Sequence, residues 1–195
     1  MAAPVIPDVL ATRYASAELT RIWSPEHRVV AERRLWIAVL RAQRDLGVDV
    51  SDGAVEAYEA VLSQVDLAGI GARERVLRHD VKARIEEFNA LAGQELVHQG
   101  MTSRDLTENV EQLLIRTSLV HVRDRVVAVL ARLARLAAEH AELVVAGRTH
   151  NVAAQATTLG KRFASAAEEL LLAYERTDDL LRRYPLRGVK GPLGT

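Results

Sequence analysis

The sequence predicts an all-α protein, a small helical domain followed by the first long helices of a bundle. Three observations carry that expectation. Hydrophobic residues make up 49% of the chain and aromatic ones only 4%, and the apolar mass is Ala, Leu and Val, which suits packed helices better than strands. Apolar residues recur at three- and four-residue spacing over long stretches. From Thr102 to Ala146 neither proline nor glycine interrupts that pattern.

Ser24-Pro25-Glu26 starts the first clear helix: a hydroxyl N-cap, proline in the first turn and an acid near the positive end of the helix dipole. Val29, Trp36 and Leu40 recur on one face, and Gly47 supplies the stop. A weaker helix is expected from about Asp52 to Gln64. A third covers roughly 81–92, with Val81, Ile85 and Phe88 at helical spacing, Asp80 as its cap and Gly93 after it. Thr102 and Asp105 have the spacing of a capping box and open the fourth, over about 103–141, roughly 58 Å long at about 1.5 Å per residue. The fifth carries Leu159, Phe163, Ala166, Leu170, Ala173, Thr177, Leu180 and Tyr184 at the same spacing. Two stripes of that length need each other and further subunits to cover them. The expected division is an N-terminal helical domain over 1–100 and the first part of a long-helix bundle over 101–195. An antiparallel bundle with two long helices, ending on 187-RGVKGPLGT-195, reads as a fragment.

Composition excludes several classes. Lys plus Arg equals Asp plus Glu at 26 each, so no basic excess exists for nucleic acid or an anionic membrane. Cysteine is absent, which removes disulfides, thiolate metal sites and cysteine nucleophiles. The start, MAAPVIPDVLATRY, lacks the pattern of a secretory signal, and no apolar run approaches the ~20 residues that span a bilayer. A soluble, cytoplasmic protein is expected. The histidines show no zinc-helix spacing and no suitable neighbouring carboxylates, so no metal site and no cofactor are expected.

Four polar junctions stand out from the apolar periodicity. Arg13-Tyr14 lies in an irregular N-terminal segment. Arg78-His79-Asp80 joins two helices; it is either a charged junction or a pair of side chains aimed at an anion, aided by the following helix dipole. At His98-Gln99-Gly100-Met101-Thr102-Ser103 a helix N-cap explains one hydroxyl, but not the second hydroxyl or the histidine. Free amides and two hydroxyls there suit a phosphate or carboxylate. His150, within a loop and close to Thr149, Gln155 and Thr158, has the side chain best suited to acid–base work at neutral pH.

In order, these segments resemble the adenylosuccinate lyases of the fumarase/aspartase superfamily of helical lyases. Arg13-Tyr14 is similar to the family's near-N-terminal Arg-Tyr, and Arg78-His79-Asp80 to its Arg/Lys-His-Asp junction. His98 to Ser103 is similar to its His-x-Gly-x-Thr-Ser segment, and Gly147-Arg148-Thr149-His150 to its histidine loop. Lys190-Gly191 through Gly194-Thr195 looks like its Lys-Gly-x-x-Gly-Thr turn. The resemblance implies β-elimination of fumarate from adenylosuccinate and from the succinylamino-imidazole-carboxamide ribotide, by a homotetramer without cofactor. It implies His150 as general acid, and Arg13, Tyr14, Arg78, His79, Asp80, Thr102 and Ser103 as substrate-binding residues. His98, Thr149, Gln155 and Thr158 support them. Two departures qualify the match. Val152 stands where the superfamily often has glutamine, and the Ser-Ser-x-Met-Pro-x-Lys-x-Asn loop, source of the serine base, has no counterpart in the 195 residues, so the chain alone is expected to be inactive. The rival readings are another lyase of the superfamily, such as an argininosuccinate lyase, and a non-catalytic helical oligomerisation module.

Overall fold

The computed structural model describes residues 8–194. Met1 to Pro7, on which the reading of the chain start partly rests, and Thr195, last residue of the glycine-rich turn, lie outside the described residues. Among the described residues the chain is helical, with one two-stranded antiparallel sheet, β1 (Val144–Thr149) paired with β2 (Val152–Thr158). The helices are α1 (Ala17–Ile22), α2 (Pro25–Asp45), α3 (Ala54–Ala60), α4 (Leu67–Leu77), α5 (Asp80–Ala92), α6 (Ser103–Glu139) and α7 (Leu159–Arg182). No helix among the described residues is long and apolar enough to cross a membrane.

Several elements follow from local chemistry. Ser24 caps α2 by accepting from the His27 amide at 3.2 Å, and Gly47 ends the helix at φ 85°. Others depart from expectation. Arg13 and Tyr14 lie not in irregular chain but in one π-helical turn, Leu10–Tyr14. The helix expected over 52–64 is trimmed to α3, and α4 follows where none was expected. Asp80 is not the cap of α5. That role belongs to His79, whose Nδ1 accepts from the Lys82 amide at 3.2 Å, with Asp80 the first helical residue.

The chain divides into two compact units, 1–115 with 186–195, and 116–185. In the first, α2 is the central element. Trp36, Ile37 and Leu40 pack with Val55, Tyr58, Val81, Phe88, Val97, Met101 and Leu106 in one cluster. Ile22, Val110 and Leu114 form a second, and Val29, Ile70 and Ala83 a third. Charge is buried among them. Arg33, with none of its side chain exposed, meets Glu87 Oε2 at 2.5 Å and lies over the Phe88 ring at 4.6 Å. Its Nη1 donates to the carbonyls of Val61, Leu62 and Gln64 at 3.0, 3.0 and 3.1 Å, and Glu87 accepts from the Asp66 amide at 3.2 Å. One guanidinium and one carboxylate thus hold the irregular α3–α4 connection by its backbone carbonyls and the Asp66 amide.

In the second unit the latter part of α6, the hairpin and α7 pack together. Gly160 permits the approach: a Cβ there would lie 2.4 Å from the Ala137 carbonyl oxygen. Its amide donates to the His140 carbonyl at 2.9 Å, and the Leu159 amide to Leu143 at 2.9 Å. The helices of this unit leave Val122, Val127, Val129, Leu171, Leu172 and Leu180 exposed.

Removing one partner of a buried pair strands the other charge. Arg33→Met should therefore destabilise the chain by roughly 3–5 kcal/mol. Urea unfolding measures this, and a loss below about 1 kcal/mol would show that Glu87 is satisfied without Arg33.

Candidate active-site segments

The first unit holds the His98–Ser103 turn, and its anchor is Asp105, whose side chain is fully buried. The carboxylate accepts from the amides of Thr102 (3.0 Å), Lys190 (3.0 Å) and Gly191 (2.9 Å), and the Arg187 Nε lies 3.5 Å away. Burial pushes its pKa up, but those three amides and the guanidinium outweigh burial and hold it below the ordinary aspartate value. The Thr102 contact is the acidic half of the capping box read from the sequence. The Lys190 and Gly191 contacts are new. One turn further along α6, Asn109 Oδ1 accepts from the Gly188 amide at 3.0 Å and its Nδ2 donates to the Gly188 carbonyl at 2.9 Å. Arg187 also pairs with Glu108. Residues 105, 108 and 109 lie on one face of the helix. Asp105 and Asn109 grip the backbone of the glycine-rich loop, Glu108 takes the Arg187 side chain, and the loop is set beside the turn, where a Cβ on Gly191 would stand 3.5 Å from the Gly100 carbonyl oxygen.

His98 is held from the other side. Its Nδ1 accepts from the Trp36 indole Nε1 at 3.0 Å, and Gln43 Nε2 donates to the Gln99 carbonyl at 3.0 Å. Burial lowers the His98 pKa, Asp105 opposes that, and His79 lowers it further. His79 is thus brought within electrostatic reach of His98. At the α4–α5 junction Arg78 is exposed in the left-handed region at φ 55° and ends α4, while Asp80 pairs with Arg84 Nη2 at 2.8 Å. Burial raises the Asp80 pKa, but the hydrogen bond from Arg84, the Val81 amide and the nearby Arg84 charge overcome it and leave the group below the ordinary aspartate value. Arg13 and Tyr14 are exposed on their own turn, where Tyr14 lines an apolar groove of about 600 Å³ with Leu10, Leu19 and Trp23.

The second unit holds His150, Thr149, Gln155 and Thr158. The sequence read a loop here; the chain forms a hairpin. Its tip is the two-residue turn His150-Asn151, both with positive φ (51° and 62°), flanked by the pair Thr149 and Val152. Left-handed values at both positions define a type I′ turn, which twists in the same sense as the strands it joins. His150 is exposed at that tip, its Nδ1 3.1 Å from the Thr149 hydroxyl. Gln155 is exposed on β2, opposite Gly147, and Thr158 caps α7 by accepting from the Lys161 amide at 3.2 Å.

The structure thus gathers His79, His98, Thr102 and Ser103 in one unit and the His150 hairpin in the other. Sequence reasoning did not find Trp36 and Asn109 as site-supporting residues. The signal available for Asn109 was a polar residue four positions after Asp105, beside the apolar pair Leu106 and Val110.

Asp105→Ala leaves three part-buried amides without their acceptor and should cost on the order of 3 kcal/mol, with faster hydrogen exchange at Lys190 and Gly191. Because the folded pKa is depressed, this contribution is present above the unfolded value of about 3.9 and is lost as pH falls through the folded one. Urea midpoints of wild type and variant should therefore converge on acidification; a gap that stays constant down to the acid limit would assign the loss to packing instead of charge.

Comparison with known proteins bears on the family and the fold. A family model described as "Lyase" matches residues 14–193. The adenylosuccinate lyase of Saccharomyces cerevisiae is 36% identical over 193 residues, covering 95% of this chain and 40% of that protein. That of Methanothermobacter thermautotrophicus is 34% identical over 188 residues, covering 94% of this chain and 42% of the relative. Among solved structures, 3-carboxy-cis,cis-muconate lactonizing enzyme from Pseudomonas putida aligns over 96% of this chain and 44% of its own, with TM-score 0.84 and 21% identity. A fumarate lyase from a Mesorhizobium species aligns over 92% with TM-score 0.79 and 23% identity, and at such identities the two share the fold alone. The chain belongs to the lyase family, and it spans about 40% of the length of the curated relatives it matches.

Proposed function

We propose that this chain supplies part of the active site of an adenylosuccinate lyase, which eliminates fumarate from adenylosuccinate and from the succinylamino-imidazole-carboxamide ribotide. The observation that carries the reading is the construction of the first unit. His79, His98, Thr102 and Ser103 sit at two helix entries, and a buried carboxylate and a buried indole hold the turn that carries the last three. Two helix entries carrying imidazoles and hydroxyls suit a substrate with carboxylate and phosphate groups.

In the proposed reaction a base removes the proton from the carbon beside a succinyl carboxylate. The freed pair forms the double bond of fumarate, the carbon–nitrogen bond breaks, and the departing nitrogen takes its proton from His150. Thr149 suits that role: its hydroxyl oxygen, 3.1 Å from Nδ1, can accept from the protonated ring, which then gives its Nε2 proton to the leaving nitrogen and ends neutral. Thr102 and Ser103 bind the succinyl part and stabilise the charge that accumulates on its carboxylate. Arg13, Tyr14, Arg78, His79 and Asp80 hold the nucleotide, chiefly its phosphate end, while His98, Gln155 and Thr158 support. The serine base is not among these residues, so the 195-residue chain alone should release little fumarate. The domain reading of 1–100 and 101–195, a cytoplasmic location and a homotetramer belong to the same proposal. The exposed leucines and valines of the second unit support assembly, for which sedimentation is the check.

Two experiments test the reading. Adenylosuccinate should raise the melting temperature of this chain, and the rise should shrink in His79→Ala and Thr102→Ala, since a ligand stabilises only what it binds. An unchanged melting temperature at saturating ligand would leave the oligomerisation-module reading standing. When the chain is extended with the remaining length of such a relative, His150→Gln should cut turnover by about 10²–10⁴-fold with substrate affinity largely kept. Near-wild-type turnover would remove His150 from the role of acid.

A further inference from the structure

We propose that Trp36 is a positioning residue that locks His98 in the neutral form with its proton on Nε2, so that His98 meets the substrate only as a hydrogen-bond donor. The inference rests on the lyase reading for the ligand, but its chemistry rests on the indole. An indole N–H donates and has no lone pair to accept. With Trp36 Nε1 at 3.0 Å from His98 Nδ1, that nitrogen must present its lone pair. The proton of the neutral ring is then on Nε2. A second proton would place N–H against N–H and break the contact.

The surroundings enforce this arrangement. Trp36 is 1% exposed, and its ring stacks on Phe88 at 6.1 Å and 22° while His98 stands edge-on to it at 5.9 Å and 88°. The indole therefore cannot swing away without opening the core. His98 itself sits at φ 72°, a left-handed value that holds only where neighbours impose it. The groups that act on its charge are Asp105, which favours the cation, and His79, which disfavours it, and burial keeps the balance on the neutral side. Proton transfer to or from substrate is thereby assigned away from His98, leaving His150 as the acid. His79 offers a natural comparison. Its Nδ1 accepts from the Lys82 amide, a donor with no lone pair to offer in return, so it should show the same tautomer by an independent route.

The test is nitrogen-15 NMR of the histidine side chains in this 195-residue chain at neutral pH. The expected result is a lone-pair signal at Nδ1 and a protonated Nε2 for both His98 and His79. In Trp36→Phe, which keeps an aromatic ring in the core but removes the indole donor, His98 should become a tautomer mixture or shift to Nδ1–H while His79 stays as it was. An unchanged His79 shows that the first unit is still folded, so a purely structural effect of the substitution is excluded by the same spectrum. A second variant, His98→Asn, suits the left-handed backbone and offers Oδ1 to the indole in place of Nδ1. Its Trp36 N–H resonance should stay where a hydrogen-bonded indole appears, while adenylosuccinate binding weakens about tenfold or more for want of the Nε2 donor. A protonated Nδ1 at His98 in the wild type, or a His98 tautomer indifferent to Trp36→Phe, overturns the proposal. Adenylosuccinate that shifts His79 but leaves His98 Nε2 unmoved overturns its donor role. An adenylosuccinate titration that shifts no histidine at all counts against the lyase reading instead, with the tautomer result standing on its own.

Discussion

The first unit depends on a carboxylate that no water reaches. Asp105 stands in the first turn of α6 and accepts from amides at three positions, one beside it in sequence and two more than eighty residues away. An ionised group in such a place is costly unless every lone pair is used, and here the use is what builds the structure. The glycine-rich loop is attached chiefly through its backbone, with the Arg187 side chain adding contacts to Asp105 and Glu108. Asp105 and Asn109 supply matching acceptors and donors at i and i+4. The loop, the His98–Ser103 turn and the start of α6 thereby become one body.

From that anchor the rest of the unit follows in layers. The turn is fastened on its other flank by α2, through Trp36 to His98 and Gln43 to the Gln99 carbonyl. Further along, α2 carries Arg33 and Glu32 into the interior. Arg33 closes the α3–α4 connection, while Glu32, fully buried, meets Arg84 Nε at 2.7 Å, and Arg84 reaches on to Asp80 at the head of α5. Burial raises the Glu32 pKa, and the Arg84 and Arg28 cations act against that rise. A single helix thus orients both polar entries of the unit, one through an indole and one through a guanidinium.

The long elements were legible because their signals are local and repeated. Ser24-Pro25, the Thr102/Asp105 spacing and the unbroken stripe after it located α2 and α6 to within a few residues. What stayed hidden had weak or conflicting propensity. Gly69 and Gly71 disguise α4, since each costs about 0.5–1 kcal/mol in a helix interior, and its formation rests on Ile70 packing with Val29 and Ala83. The hairpin has in VAAQATT few of the β-branched and aromatic residues of a typical strand, and the one clear mark, Asn151 at the second turn position, sits beside a histidine in place of the usual glycine. For the site, the motif residues were readable as types in order, but which of them share a body was not. That depends on contacts between Asp105 and Lys190, or Trp36 and His98, which no spacing announces.

Backbone strain binds these threads together. Among the described residues, the non-glycine positions with positive φ are Arg78, His98, His150 and Asn151, and all lie in the polar junctions singled out from the sequence. Such conformations cost roughly 1–3 kcal/mol each and persist only where surrounding structure over-determines them. Three of the four have a visible restraint: the Arg78 amide donates to Glu74 at 2.8 Å, His98 takes the Trp36 indole, and Asn151 offers its carbonyl to Arg148 Nη1 at 3.1 Å across the hairpin turn. Glycine would remove the strain at every one of these positions, yet glycine carries no guanidinium or imidazole. The chain keeps the side chain and accepts the strained backbone. A surface junction that served only to end one helix and begin another would have no reason to do so, because Gly47 and Gly93 end α2 and α5 without that cost. The distribution of strain therefore supports the proposal that the side chains of these junctions are presented in one direction.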